Sequence, residues 1–466
     1  MTSVVLEKDT IVGGLSRTEE YKGYCFDIGG HRFFTKVGAV QSMWKTVLGD
    51  SFLRRRRLSR IYYRSKFFQY PIEPLNALQG LGIGESVLCG LSYLRALAFG
   101  PRSDGNLEEW LTARFGQRLY ETFFKTYTEK VWGMACTEIS ADWAAQRIRG
   151  LSAGVLLKNA FARRRSETPK TLIQEFDYPS KGPGMMWTRT RDQVIEQGSQ
   201  VVMDAPVETI RWEPGRVVEI VAGGKSYRGA QFISSMPIRE LIEKLDPAPP
   251  EWASRAAANL RYRDFLTVAL IVKGVDLFPD NWIYVHDPGV KVGRIQNYNN
   301  WSPHMVPDSS TTCLGLEYFC FEGDHLWESS DADLLARGKQ EIAKLGLADA
   351  KHIIDGKVVR APKAYPVYDD TYQNALQEIR RFLEQLPNLQ LIGRNGMHRY
   401  NNQDHSMLTG MLAARNILGQ GKFDLWQVNA DTDYHEDGFR LSEEEIQQME
   451  NSQPLTPHTT ASRKVG

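Results

Sequence analysis

The first residues whose types and spacing could do chemistry are Glu7 and the glycines that follow it. Val4-Val5-Leu6 is a short apolar run closing on Glu7. A carboxylate at the tip of the second strand of a dinucleotide-binding βαβ unit can accept both ribose hydroxyls of an adenosine. Gly13 and Gly14 come next, and glycines let a backbone pass close to a pyrophosphate because they have no Cβ and tolerate positive φ. Arg17 would add positive charge beside it. Taken alone, the stretch also fits an ordinary strand before a tight turn. A complete unit has its first strand and a G-x-G-x-x-G turn roughly 30 residues upstream. The chain starts at Met1, too close to Glu7 to hold them, and the expectation is that the DNA just upstream encodes them in frame.

Two further glycine turns have chemical potential. Tyr24-Cys25-Phe26-Asp27-Ile28 runs into Gly29-Gly30-His31-Arg32-Phe33-Phe34. This is either a tight turn over an aromatic core or a mobile loop lying against a flat cofactor ring. Asn388-Leu389-Gln390-Leu391-Ile392 leads into Gly393-Arg394-Asn395-Gly396, and a small-residue helix is expected from Ser406 to Leu418. A helix N-terminus just past a parallel strand favours a phosphate or an anionic ring edge, because its free N–H groups point outward. Arg54-Arg55-Arg56-Arg57 reads as a solvated face or as a binding site.

The elements that must position these residues follow from periodicity. Apolar residues at three- and four-residue steps predict helices between about Pro74 and Leu157, with Asp104-Gly105-Asn106 capping the helix that carries Leu107, Trp110, Leu111 and Phe115. Another helix is expected to end at Glu196, and others near 331–345 and 372–385. Residues 263–320 read as β-rich, with Phe265 to Val272 the clearest strand.

The 466 residues suffice for two or three domains with real cores. Net charge is +1, so nothing in the total points to nucleic acid. Five scattered cysteines, with no C-x-x-C pair and no metal-ligand spacing, read as reduced, buried thiols of a cytoplasmic protein. No apolar run approaches 18 residues, and no signal peptide is visible, which leaves open only a peripheral membrane contact.

Together these segments resemble the UDP-galactopyranose mutase family, within the FAD-dependent amine oxidase and protoporphyrinogen oxidase superfamily, over most of the chain from Val4 to about Leu418. Tyr127-Thr128-Glu129-Lys130-Val131-Trp132-Gly133 is similar to the mutase segment whose Trp borders the substrate cleft. Trp143-Ala144-Ala145-Gln146-Arg147 resembles the place of an arginine on the substrate diphosphate. Gly293-Arg294-Ile295-Gln296-Asn297 resembles the strand that supplies a second arginine and an asparagine. Gly393-Arg394-Asn395-Gly396-Met397-His398-Arg399-Tyr400, then Asn402-Gln403-Asp404-His405-Ser406, is the most specific match. Tyr70-Pro71 and Tyr365-Pro366 resemble segments under the uracil ring and on the phosphates. The chain differs at Phe34, where one mutase branch has a second histidine, and at Ile72-Glu73, where an apolar residue and then an amide are usual.

The resemblance implies an α/β protein. Its Rossmann-like FAD-binding domain, without the first βα unit, is assembled from residues 1–35, 201–240 and 387–422. A mainly helical insertion would occupy 36–200, a mostly antiparallel β substrate domain 241–386 and a polar C-terminal tail 423–466, with disorder expected from 451. The implied cofactor is FAD, held by Glu7, Gly13, Gly14, Arg17, Gly29, Gly30, His31, Val207, Gly393, Arg394, Asn402, Gln403 and Ser406. The implied substrate is a nucleotide-diphosphate sugar, bound by Tyr70, Trp132, Arg147, Arg294, Asn297, Tyr365 and Tyr400. In such a mutase reduced flavin bonds the anomeric carbon through N5, the nucleotide diphosphate leaves, and the sugar ring recloses at another size without net redox change. Arg147, Arg294, Tyr365, Tyr400 and His31 would serve that chemistry, the arginines because a planar guanidinium stays charged and can bond two phosphate oxygens. For each arginine a structural ion pair is the other reading. Two other functions stay open: a flavin oxidoreductase of the amine oxidase or protoporphyrinogen oxidase kind, and a non-catalytic remnant.

Overall fold

The protein is described by a computed structural model that covers residues 2–70, 72, 74–99, 105–139 and 175–429. Its centre is a seven-stranded sheet ordered Ile353–Pro366, Tyr262–Lys273, Thr311–Cys320, Arg294–Asn297, Trp282–Val285, Ser59–Tyr63, Lys66–Gln69. Neighbours run antiparallel except Trp282–Val285 and Ser59–Tyr63, which are parallel. Strand Tyr262–Lys273 reads as a near-continuous apolar run because both its faces are covered. Leu266, Val268, Leu270 and Val272 enter one core with the helix Asp331–Lys344, while Phe265, Ala269 and Ile271 enter another with Phe26, Tyr178 and Trp301. That helix begins where the Ser330 hydroxyl accepts from the Asp333 N–H, a serine N-cap.

A second body is built around two parallel strand pairs. Val4–Leu6 lies beside Gln200–Val202, and Phe232–Ser234 beside Leu389–Leu391. A four-stranded sheet of Lys225–Arg228, Arg216–Ala222, Val207–Glu213 and Leu245–Asp246 adjoins them. One apolar core gathers Trp44, Met186, Ile210, Ile238, Phe382, Leu408 and Leu412 from six separated stretches of chain. The architecture is thus mixed α/β with a mostly antiparallel sheet domain, as expected.

The stretch 36–200 holds strands as well as helices. It supplies the strands Ser59–Tyr63 and Lys66–Gln69 to the large sheet, and the strand Phe52–Arg56 pairs with Glu175–Pro179. The helices Gly38–Leu48 and Gly184–Glu196 pack together on the second body's core. A smaller helical cluster holds Leu107–Phe115, where the Asn106 side chain accepts from the Glu109 N–H at 2.9 Å. Asp104, the other expected cap residue, and the segment after 450 lie outside the described residues. All five cysteines are buried and free.

Candidate functional site

Between the two bodies runs one continuous cleft of about 2940 Å³. That exceeds the roughly 300–1,000 Å³ of a usual small-molecule pocket and leaves room for a dinucleotide and a second ligand.

One wall is made largely of backbone. Glu7 ends the strand Val4–Leu6, its N–H donating to the Val202 carbonyl at 2.9 Å and its side chain accepting from the Asp9 N–H. Gly13 sits at φ 109°, where a Cβ would strike Trp187 at 2.6 Å, and Gly14 at φ 54° opens a short 3-10 turn. Arg17 borders the cleft, but its guanidinium is bound to Glu19 at 2.6 Å and Asp9 at 3.1 Å. Val207 lies on the same wall, as do Asn402, Gln403 and Ser406. These last three open the 15-residue helix Gln403–Ile417, closed at its start by a reciprocal Asn402 and His405 cap. Both Gln403 side-chain polar atoms and the Trp187 indole Nε1 are buried with no partner among the described residues, the unmet bonding a bound polar ligand would satisfy.

The two walls meet at the glycine turns. Gly29 has φ 84°, and a Cβ on Gly30 would meet Gln296 at 2.9 Å, so the turn lies tight on the sheet. His31 lines the cleft with Nδ1 3.2 Å from the Gly29 carbonyl. Desolvation first, then the Arg394 charge, push its pKa down to about 3, so the ring is neutral. Gly393 has φ 79° and its N–H donates to Thr409, while Arg394 donates to the carbonyls of Asn401 and Ala364.

The other wall is made of side chains. Arg294 donates from Nη2 to the Tyr365 hydroxyl at 3.1 Å and from Nε to the fully buried Glu317. Burial opposes the Arg294 charge, but Glu317 and three tyrosines more than offset it, and its pKa stays well above the ordinary value. Tyr365 and Tyr400 stack at 5.4 Å with Arg394 over both rings. Burial raises the Tyr365 pKa, so its hydroxyl keeps its proton and can donate. Tyr70 tilts on Tyr284 at 4.6 Å. Trp132 lies where its helix ends, and Arg263 pins that end to the sheet through the carbonyls of Val131, Lys130 and Phe319.

Asn297 is not among these residues. Successive strand residues point to opposite faces, so Arg294 and Gln296 border the cleft while the Asn297 amide donates to the Phe278 carbonyl elsewhere. Arg147 lies outside the described residues.

A sequence profile described as flavin containing amine oxidoreductase matches residues 1–418. The chain belongs to the flavin-containing amine oxidoreductase family. Its fold is similar to that of a reduced UDP-galactopyranose mutase, with TM-score 0.80, 19% identity and coverage of 93% of this chain and 96% of that one. A putative protoporphyrinogen oxidase from Exiguobacterium sp. 255-15 is similar with TM-score 0.67 and 17% identity, over 90% and 93% of the two chains. A putrescine oxidase variant follows with TM-score 0.59 and 14% identity, again over 90% and 93%. Membership makes this an enzyme of a flavin-dependent superfamily and implies a flavin cofactor.

In this family member, sequence reading passed over Gln296, Glu317 and Trp187. Gln296 was within reach, since a strand that presents Arg294 presents 296 as well. Glu317 had no local signal, because its importance comes from a cross-strand register with Arg294. The arginine run divides at the end of its strand: Arg54, on Phe52–Arg56, pairs with Asp177 at 2.7 Å, while Arg57, just past the strand, lies over Tyr70 and Trp282 at the cleft.

Proposed function

We propose that the protein is an FAD-dependent mutase of UDP-galactopyranose mutase type acting on a nucleotide-diphosphate sugar. The observation that carries this reading is the convergence of Arg294, Tyr365, Tyr400 and Arg394 on one end of the cleft, next to His31. The opposite wall fits the cofactor. The N-terminus of Gln403–Ile417 and the unpartnered Gln403 and Trp187 atoms suit a pyrophosphate and a ring edge, and Glu7 suits a ribose. Gly13, Gly14, Gly29, Gly30, Val207, Gly393, Arg394, Asn402 and Ser406 complete that wall.

When bound and reduced, a flavin supplies a nucleophilic nitrogen for the anomeric carbon. The chain's own residues then handle charge. As the C–O bond to the diphosphate breaks, negative charge gathers on the leaving oxygens. Preorganised Arg294 and the donor hydroxyls of Tyr365 and Tyr400 bond that state more strongly than the ground state. His31, neutral with Nδ1–H on the Gly29 carbonyl, keeps Nε2 as an acceptor and adds no positive charge. Tyr70 and Trp132 border the space left for the nucleoside and sugar, and Arg147 is assigned by the same resemblance as the second diphosphate arginine.

Titration calorimetry with uridine diphosphate tests the reading. Arg294→Ala should weaken binding by about 1–3 kcal/mol, the worth of a charged hydrogen bond, and turnover should require a reductant. Unchanged binding removes Arg294 from the diphosphate site. A flavin that bleaches with an amine substrate and recovers in air makes the protein an oxidoreductase of amine oxidase type instead.

A further inference from the structure

The helix Ile83–Phe99 is inside out. Its Ser86, Cys89 and Tyr93 side lines the cleft, and Tyr93 backs onto the turn at Gly116. Its outward side carries Ile83, Val87, Leu91 and Leu94 at helical spacing, flanked by Leu88, Leu97 and Phe99. Ile83 is 87% exposed and Phe99 85%, with the other five between 42% and 62%. No other described helix presents such a face, and contiguous apolar patches on soluble proteins mark a partner.

The charges around the patch say which partner. Arg95 is exposed on the same helix, and the exposed Arg64 and Lys66 lie on the hairpin turn whose Lys66 Nζ donates to Gly80 just before Ile83. The acidic side chain on the helix, Glu85, is ion-paired with Arg118 at 2.5 Å. An apolar face rimmed by cations with no acidic partner among the described residues complements an anionic bilayer surface, where acyl chains take the apolar side chains and headgroups the basic ones. No described helix is long and apolar enough to cross a membrane, so the contact is interfacial. We propose that Ile83–Phe99 docks the protein on anionic lipid surfaces, with the cleft directly behind it.

Co-sedimentation of the full chain with vesicles tests this. The protein should pellet with phosphatidylglycerol-containing vesicles and much less with phosphatidylcholine alone. Leu91→Glu with Leu94→Glu should lower partitioning at least about tenfold, and Arg95→Glu about fivefold. Protein that stays in the supernatant with both vesicles overturns the proposal. So does a concentration-dependent dimer abolished by the double substitution, which assigns the face to a second copy. A double variant that loses its folded circular dichroism, alongside an Arg95→Glu variant that pellets as before, shows that the face is covered by the chain itself and also overturns it.

Discussion

The two walls of the cleft are built on different principles. The wall around Gly13, Gly14 and the start of Gln403–Ile417 presents mostly main chain, and its geometry depends on Gly13, where a side chain would strike Trp187, and on the positive φ of Gly14. The wall on the large sheet presents Arg294 and Gln296, both held by one buried carboxylate, Glu317, and Tyr365, held in turn by Arg294. A backbone-built surface is indifferent to most neighbouring side chains and vulnerable at a few glycines. A side-chain-built surface can change its chemistry by single substitutions, but each member depends on the others. On the proposed function, this division would let related folds share the backbone-built wall while differing on the side-chain-built one.

The largest effect should come from the carboxylate. Glu317→Leu strands the Arg294 charge and the Gln296 amide, and about 3–5 kcal/mol of stability should be lost in urea denaturation. A loss under about 1 kcal/mol would mean that the wall is not organised around one acid. Next comes the glycine turn that adjoins the backbone-built wall. A Cβ on Gly396 would lie 2.4 Å from the Ile392 carbonyl oxygen and 2.8 Å from that of Ser234. Both are main-chain atoms that cannot swing away, so Gly396→Ala should cost about 1–3 kcal/mol, against little change for Gly410→Ala, whose nearest contact is at 3.6 Å.

The pH response sharpens the contrast. Burial holds the His286 pKa down to about 3 from 6.5. Between those values the unfolded chain takes up a proton that the native state refuses, so stability falls as pH drops through that window. His286→Phe, keeping a ring against Tyr127, should flatten that acid limb while leaving the neutral plateau less affected; an unchanged limb in urea titrations across the window would assign it to His31 and His398. Last, the exposed Arg239–Glu243 and Arg255–Glu251 pairs stand on neither wall, and alanine substitution there should shift stability by less than about 0.5 kcal/mol.

What the sequence disclosed divides along the same line. Glycine turns, helix caps and apolar runs are local signals, and Gly13, Gly29, Gly393, Asn106 and the strand at Phe265 to Val272 could be placed from a few neighbours each. The sheet wall depends on register between strands far apart in the chain. Arg294 was named through resemblance, yet nothing near it indicated that residue 317 faces it, whereas strand alternation alone turns Asn297 away. The mainly helical stretch 36–200 also holds a hairpin, at Ser59–Tyr63 and Lys66–Gln69, that the β-branched and aromatic run there makes legible, though not the strand it pairs with. Ile61, Tyr62 and Phe68 form a hairpin that is edge material until the sheet accepts it.

The twelve-residue strand Tyr262–Lys273, sandwiched between two cores, has a kinetic corollary. In heavy water its amides should be among the last to exchange, opening only with global unfolding, whereas the three-residue pairs at Val4–Leu6 and Phe232–Ser234 should label early. The floor beneath Arg294 then acts as a fixed anvil, and any breathing that admits a large ligand must come from the opposite side.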